Sequence, residues 1–128
     1  MEPPCVLDAS ALLATMRDED GAHIVDRHMP NACVSSVNVS EVAAKLIDGG
    51  MPASAVTDVL TCMKLDVRDF DLDQALHAGR LRAETRPFGL SLGDRACLAL
   101  ASALSLPVLT TDRAWIKLDI GVEVKLVR

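Results

Sequence analysis

The chain has 128 residues, half of them apolar and only 2% aromatic, with a formal net charge of −5 at pH 7. That length suits one domain around one core, and so few aromatics favour an Ala, Val, Leu and Ile core of helices on a parallel sheet over a barrel or sandwich. The acidic balance argues against a protein that grips nucleic acid mainly by counterion release; it is compatible with an acidic site neutralised by bound cations before an anionic substrate arrives. The longest apolar run, Ala96 to Leu104, is interrupted by Ser102 and falls far short of the roughly 20 residues of a membrane span. Met1-Glu-Pro-Pro has neither the basic region nor the apolar stretch of a signal peptide. Cys5, Cys33, Cys62 and Cys97 lie in apolar or helical sequence without C-x-x-C spacing, so reduced thiols in a cytoplasmic protein are expected rather than a zinc site.

In chain order, residues 4 to 8 read as a short apolar strand ending on Asp8, with Ser10 just beyond. Ala9 to about Arg17 follows as a helix that gives way at Asp18-Glu-Asp-Gly21, and Ala22 to Met29 as a second one stopped ahead of Pro30. Ala32 to Ser35 is the second strand. The next helix starts at Ser36 or Asn38, where Asn38-x-x-Glu41 resembles a capping box, and ends at Gly49-Gly50. Its apolar stripe, Val39, Val42, Ala43, Leu46 and Ile47, puts Glu41 about 160° from the stripe's middle at about 100° per residue. Glu41 therefore faces solvent or a cleft.

Pro52 opens a helix to about Met63, and Leu65 to Phe70 alternates as a third strand. Asp71 or Asp73 can cap the helix Leu72 to about Thr85, whose end carries Arg80, Arg82 and the following Arg86; cations there suit the helix dipole and form either a solvated face or a phosphate-contacting rim. After a loop from Pro87, Ser91-x-x-Asp94 starts a helix over Asp94 to Ser105. Cys97, Leu98 and Ala101 share the face of Asp94, so that acid heads a buried stripe and needs donors or a cation. Val108 to Thr110 is a fourth strand, running out into Asp112 and one or two helical turns to Lys117; Val122 to Val127 closes the chain as an edge strand. The alternation of strand and helix implies one α/β domain over residues 1 to 128, three layers deep (α/β/α), with a mainly parallel sheet and right-handed crossovers.

Ligands of open α/β sheets collect outside the carboxyl ends of the strands. Asp8 and Asp112 are delivered there, each beside hydroxyls, and parallel neighbouring strands would bring them close together. Both acids, and Asp94, could alternatively serve as plain helix caps. His23, His28 and His77 share no pattern with Ser or Cys, which speaks against a nucleophilic triad.

Asp8-Ala-Ser10, Glu41 in Val37-Asn-Val-Ser-Glu-Val42, Asp94 in Ser91-Leu-Gly-Asp-Arg95, and Thr110-Thr-Asp-Arg-Ala-Trp115 together resemble the PIN domain family, and within it the VapC-type toxin ribonucleases of bacterial toxin–antitoxin pairs. The resemblance covers nearly the whole chain. It implies that Asp8, Glu41, Asp94 and Asp112 form an acidic pocket for Mg²⁺ or Mn²⁺, with Asp8 and Asp94 as ligands, and Asp112 and Glu41 completing the shell or orienting the nucleophilic water. Ser10 and Thr110 would orient the acids. From the residues themselves, Arg113 is a rim residue or a partner to a nearby acid, Arg80 and Arg82 belong to the solvated face or phosphate-contacting rim, and Trp115 is a hydrophobic plug rather than a base-stacking platform. Hard cations want oxygen ligands, and clustered carboxylates repel unless protonated or bridged. The implied reaction is in-line hydrolysis of RNA, assisted by one ion or by two about 4 Å apart, leaving a 5′-phosphate and a 3′-hydroxyl. Implied partners are a second copy of the chain and a small VapB-like antitoxin, for which the helices from Val37 to Met63 are a plausible docking surface.

Other functions fit less well. A haloacid-dehalogenase-like phosphatase needs D-x-D after its first strand, and Ser10 stands in the third position. A receiver domain needs an adjacent acidic pair and a late strand-end lysine, and neither is present. A PIN-like fold kept only as a binding module stays the alternative, and the presence of all four acids counts against it.

Overall fold

The computed structural model describes residues 2–128. Five strands, β1 (Cys5–Leu7), β2 (Ala32–Ser35), β3 (Asp66–Arg68), β4 (Val108–Thr110) and β5 (Val124–Leu126), form one sheet in the order β3-β2-β1-β4-β5. Every pairing is parallel, with Val6 opposite both Cys33 and Val108, and Leu7 opposite Leu109. The sheet is thus wholly rather than mainly parallel. From β1 the chain winds outward through β2 to β3, then returns to lay β4 on the other side of β1. That reversal is a topological switch point, where a crevice opens at the carboxyl ends of the strands.

Six helices connect the strands: α1 (Ala9–Met16), α2 (Ala22–His28), α3 (Ser36–Asp48), α4 (Ala53–Cys62), α5 (Leu72–Thr85) and α6 (Leu92–Leu104). Successive strand residues point to opposite faces, and β1 supplies both cores. Leu7 packs with Leu12, Leu13, Val25, Val42, Leu46 and Val56 of the first four helices, whereas Val6 packs with Leu81, Leu98, Leu100 and Trp115 on the side of α5 and α6. Trp115, 1% exposed, is the largest fully buried side chain and fills the plug role read from sequence. Gly21 begins α2 at φ 93° with the Val127 carbonyl packed against its Cα. A side chain there would both strain the left-handed backbone and clash.

Of the two starts read from sequence for α3, Ser36 holds and Asn38 does not, and α6 starts earlier than expected. β2 passes into α3 with no loop, because Ser35 is the last strand residue and also the cap, its Oγ accepting from the Val37 amide at 3.2 Å. Asn38 is therefore inside the helix and is not its cap. The buried face runs through Asn38, Val42 and Leu46, while Ile47 is 48% exposed; this rotates the apolar stripe and leaves Glu41 about 100° from its middle, at the margin of the core. Likewise α6 begins at Leu92, two residues before Asp94, since Ser91 and Asp94 form a reciprocal capping box. At the sheet edge, β3 is exposed along its length and carries the paired charges of Asp66 and Arg68, which discourage further strand addition.

Candidate active site

Asp8 is the first residue after β1 and the cap of α1, with its Oδ1 accepting from the Ala11 amide at 2.8 Å and from Ser10 Oγ at 2.7 Å. Its other oxygen accepts from Thr110 Oγ1 at 2.6 Å, across the β1–β4 seam. The seam holds at backbone level as well, the Asp8 amide donating to the Leu109 carbonyl at 3.2 Å. Ser10 Oγ in turn accepts from the Thr111 amide, and Thr110 Oγ1 from the Asp112 amide at 3.0 Å. The two strand-end acids of the sequence are thereby joined through Thr110. Ser10 and Thr110 both donate to Asp8.

Asp8 is only 4% exposed. Burial pushes its carboxyl above the usual range despite the bonds from Thr110, Ser10 and Ala11, and the charge of Asp94 pushes the same way. A carboxylate that stays costly after three hydrogen bonds is short of positive charge. Cys97, fully buried one turn along α6 from Asp94, responds to the same field: burial first, then Asp8, Asp94 and Glu41, hold its thiol well above the ordinary value. Asp8, Glu41 and Asp94 thus all lie near enough to this buried thiol to act on it.

The remaining acids are held in related ways. Asp94 receives the Ser91 amide on Oδ2 at 3.0 Å, and Asp112, which is exposed, caps the short 3-10 turn Arg113–Lys117 through Oδ1 to the Ala114 amide at 3.0 Å. The cap reading and the site reading are thus compatible, because each of these aspartates commits one oxygen to a helical N-terminus and keeps the other. Glu41 is fixed differently. Its Oε1 accepts from Asn38 Nδ2 at 2.8 Å, and the carboxylate lies against the Cα of Gly93, where any Cβ would overlap it. Asn38 and Gly93 escaped the sequence reading; the signal for them was the three-residue spacing of Asn38 and Glu41 on one helical face and a glycine immediately before Asp94.

Arg113 is exposed on the turn after Asp112, and Arg80 and Arg82 are exposed on α5. Arg80 lines a depression with His77, Ala99 and Ala103, which lies further along α6 than Asp94. Among the described residues, no three His, Cys, Asp or Glu side chains have the spacing to enclose a metal ion by themselves. The donor set nonetheless fits a hard cation that keeps much of its water, since every candidate ligand is a carboxylate. Of about four lone-pair positions on the Asp8 carboxylate, hydrogen bonds occupy three.

The fold and the acid cluster define a wholly parallel α/β/α domain with a carboxylate crevice at its switch point. The chain belongs to the PIN domain family, whose profile matches residues 5–121. Among solved structures it is similar to the DNA-bound VapBC of Salmonella typhimurium, with a TM-score of 0.76 and 19% identity over 100% of both chains. A toxin–antitoxin complex from Klebsiella pneumoniae matches with a TM-score of 0.73 and 17% identity, covering 97% of this chain and 98% of that one. VapBC-5 of Mycobacterium tuberculosis matches with a TM-score of 0.67 and 23% identity over 99% of both. At these identities the likeness is one of fold. A comparison with curated proteins returns no match.

Proposed function

We propose that this chain is a VapC-type toxin: an endoribonuclease that hydrolyses RNA phosphodiester bonds with the help of Mg²⁺ or Mn²⁺. The observation that carries this reading is the buried carboxylate of Asp8 at the β1–β4 switch point, held by Ser10 and Thr110, with burial and the charge of Asp94 both raising its pKa. Asp8 and Asp94 would hold the cation, with Asp112 and Glu41 completing the shell. When bound, the cation lowers the pKa of a water and neutralises charge developing on the phosphate.

The chain's own residues do the rest. Ser10 and Thr110 keep the Asp8 oxygens in place, and the capping bonds of Asp94 and Asp112 hold those carboxylates to one rotamer each, so little reorganisation is needed when substrate arrives. The second oxygens of Asp112 and Glu41 would accept a hydrogen bond from the attacking water and set its line to the phosphorus. Arg113, on the turn next to Asp112, is placed to meet backbone phosphates, and Arg80 and Arg82 would extend that rim. The products are a 5′-phosphate and a 3′-hydroxyl.

A VapB-like antitoxin is the proposed partner, and a homodimer the proposed assembly, in the cytoplasm. An apolar groove of about 410 Å³ lined by Met16, Met29, Leu46, Met51, Val59 and Met63 supports a docking face on the first four helices. Among the described residues no helix is long and apolar enough to cross a membrane. The test is RNA cleavage by purified protein titrated with Mg²⁺ or Mn²⁺, against the same protein in chelator, with Asp8→Asn and Asp94→Asn alongside. Cleavage that needs the cation and disappears in both variants supports the reading. Cleavage that persists in chelator, or in both variants with contaminating nuclease excluded, rejects it; binding of RNA without cleavage would instead indicate a PIN-like binding module.

A further inference from the structure

We infer that Asn38 is a positioning residue that aims Glu41 into the acidic crevice, an inference that rests on the metal-dependent nuclease reading above. Asn38 heads the buried face of α3 and is 1% exposed. Both of its amide hydrogens are engaged from the single Nδ2, one on Glu41 Oε1 at 2.8 Å and one on the Gly93 carbonyl at 3.0 Å. The first bond joins two residues on the same helix. The second reaches the first turn of α6, one residue before Asp94. One side chain therefore registers the carboxylate of Glu41 against the helix start that carries Asp94.

The other half of the amide is what separates this from ordinary core packing. Asn38 Oδ1 is buried with no donor, and a buried acceptor without a partner is destabilising. Every position that follows on this face, Val42 and Leu46, is aliphatic, and Leu at position 38 would have the same number of side-chain heavy atoms without the stranded oxygen. The Gly93 carbonyl does not need the amide, because a carbonyl in the first turn of a helix already accepts from the amide four residues on. The stranded oxygen is a cost that packing alone does not explain. What Leu cannot supply is the N–H that holds Glu41 while the Gly93 Cα, with no Cβ, leaves room for the carboxylate. The pair works as a clamp, with Asn38 pulling the carboxylate inward and Gly93 giving it a seat.

The test uses the full chain and Asn38→Leu, with Asn38→Ala as a second variant that cannot overfill the site. Three quantities are measured: the melting temperature in chelator, Mn²⁺ affinity by electron paramagnetic resonance, and Mg²⁺-dependent RNA cleavage. Asn38→Leu is expected to remain folded in chelator, yet to bind Mn²⁺ about 10-fold or more weakly, the usual effect of removing a partner behind a metal ligand. Its cleavage should fall in parallel and be partly restored by excess Mn²⁺. In a Glu41→Gln background, adding Asn38→Leu should change Mn²⁺ affinity by less than about twofold, because two residues acting through one group are not additive. Wild-type Mn²⁺ affinity in both single variants would overturn the inference while leaving the nuclease reading intact, as would Asn38→Leu melting well below wild type with Asn38→Ala unaltered in Mn²⁺ affinity. Wild-type protein that binds no Mn²⁺ and cleaves no RNA would overturn both.

Discussion

Gly93→Ala tests how tightly the crevice is built. The new Cβ would overlap the Glu41 carboxylate, and even the farther oxygen, Oε2, would be 2.8 Å away, against about 3.5 Å for an ordinary contact. The obstacle is the end of a flexible side chain, not backbone, so Glu41 yields and the helix does not. To clear the methyl the carboxylate must move by about 1 Å or more, which breaks its bond to Asn38. A hydrogen bond to a charged group contributes about 1.5–3 kcal/mol; Glu41 is half-buried and recovers part of this from water. In return, Ala in place of Gly in a helix is favourable by at most about 1 kcal/mol. The two nearly cancel, so urea denaturation in chelator should place the variant within about 1 kcal/mol of wild type. Activity should respond far more, since a 1 Å misplacement at a reacting centre can cost about 10²-fold. Metal-dependent RNA cleavage is therefore expected to fall by about 10–100-fold in a protein that is otherwise intact. Full activity would refute the role assigned to the Glu41 position, and a stability loss above about 3 kcal/mol would show that the backbone of α6 gives way instead.

Asp8→Asn should be more stable than wild type at pH 7 in chelator. The folded carboxyl is raised by burial above its unfolded value of 3.8, so its contribution to stability is present below that pH and is lost as pH rises through the folded pKa. The advantage of the variant should accordingly shrink on acidification, and an Asp8→Asn protein less stable than wild type at neutral pH would contradict this. Thr110→Val keeps the shape of a fully buried residue but removes the bonds to Asp8 and from the Asp112 amide; a loss of about 2 kcal/mol is expected, and unchanged denaturation midpoints would count against the linkage. Saturating Mg²⁺ should raise the melting point of wild type, by mass action equivalent to about 2.7 kcal/mol at 100 times Kd, and leave Asp8→Asn nearly unmoved. Of the four cysteines only Cys62 is exposed, and burial holds Cys5 up to about 11 and raises Cys33 and Cys97 as well. Native protein should titrate one thiol quickly with a disulfide reagent and three more on unfolding; two fast thiols would disprove that burial pattern.

Elements whose cause is local were legible in the residues alone. The apolar runs at Cys5 to Leu7 and Val108 to Thr110, the Ser91 and Asp94 pair, and Gly49-Gly50 after an amphipathic stretch each announce a strand, a cap or a stop through short-range sterics and hydrogen bonding, and all are found where expected. The fold class followed from strand and helix alternation, since parallel strands need crossovers. That Asp8 and Asp112 would be delivered to one end of the sheet could also be seen, because both follow strands that must run the same way. Legibility ended where the partner lies far away in sequence: Asn38 passed for a cap because its spacing to Glu41 imitates one, whereas its second contact, Gly93, is 55 residues on.

Composition and local pattern thus determined the elements, their order and the chemical type of the site, an assembly of oxygen donors on a chain of net negative charge. Tertiary structure alone decided which oxygens are spent on holding the site and which remain available. Asp8 became buried only because β4 lies beside β1 and brings Thr110 to it, and Glu41 turned inward only because α3 starts directly on Ser35 and meets the first turn of α6. The physical reason is that periodicity reports which face of a helix is apolar, whereas the desolvation and pairing of a charge depend on neighbours that chain topology, not sequence distance, brings into contact.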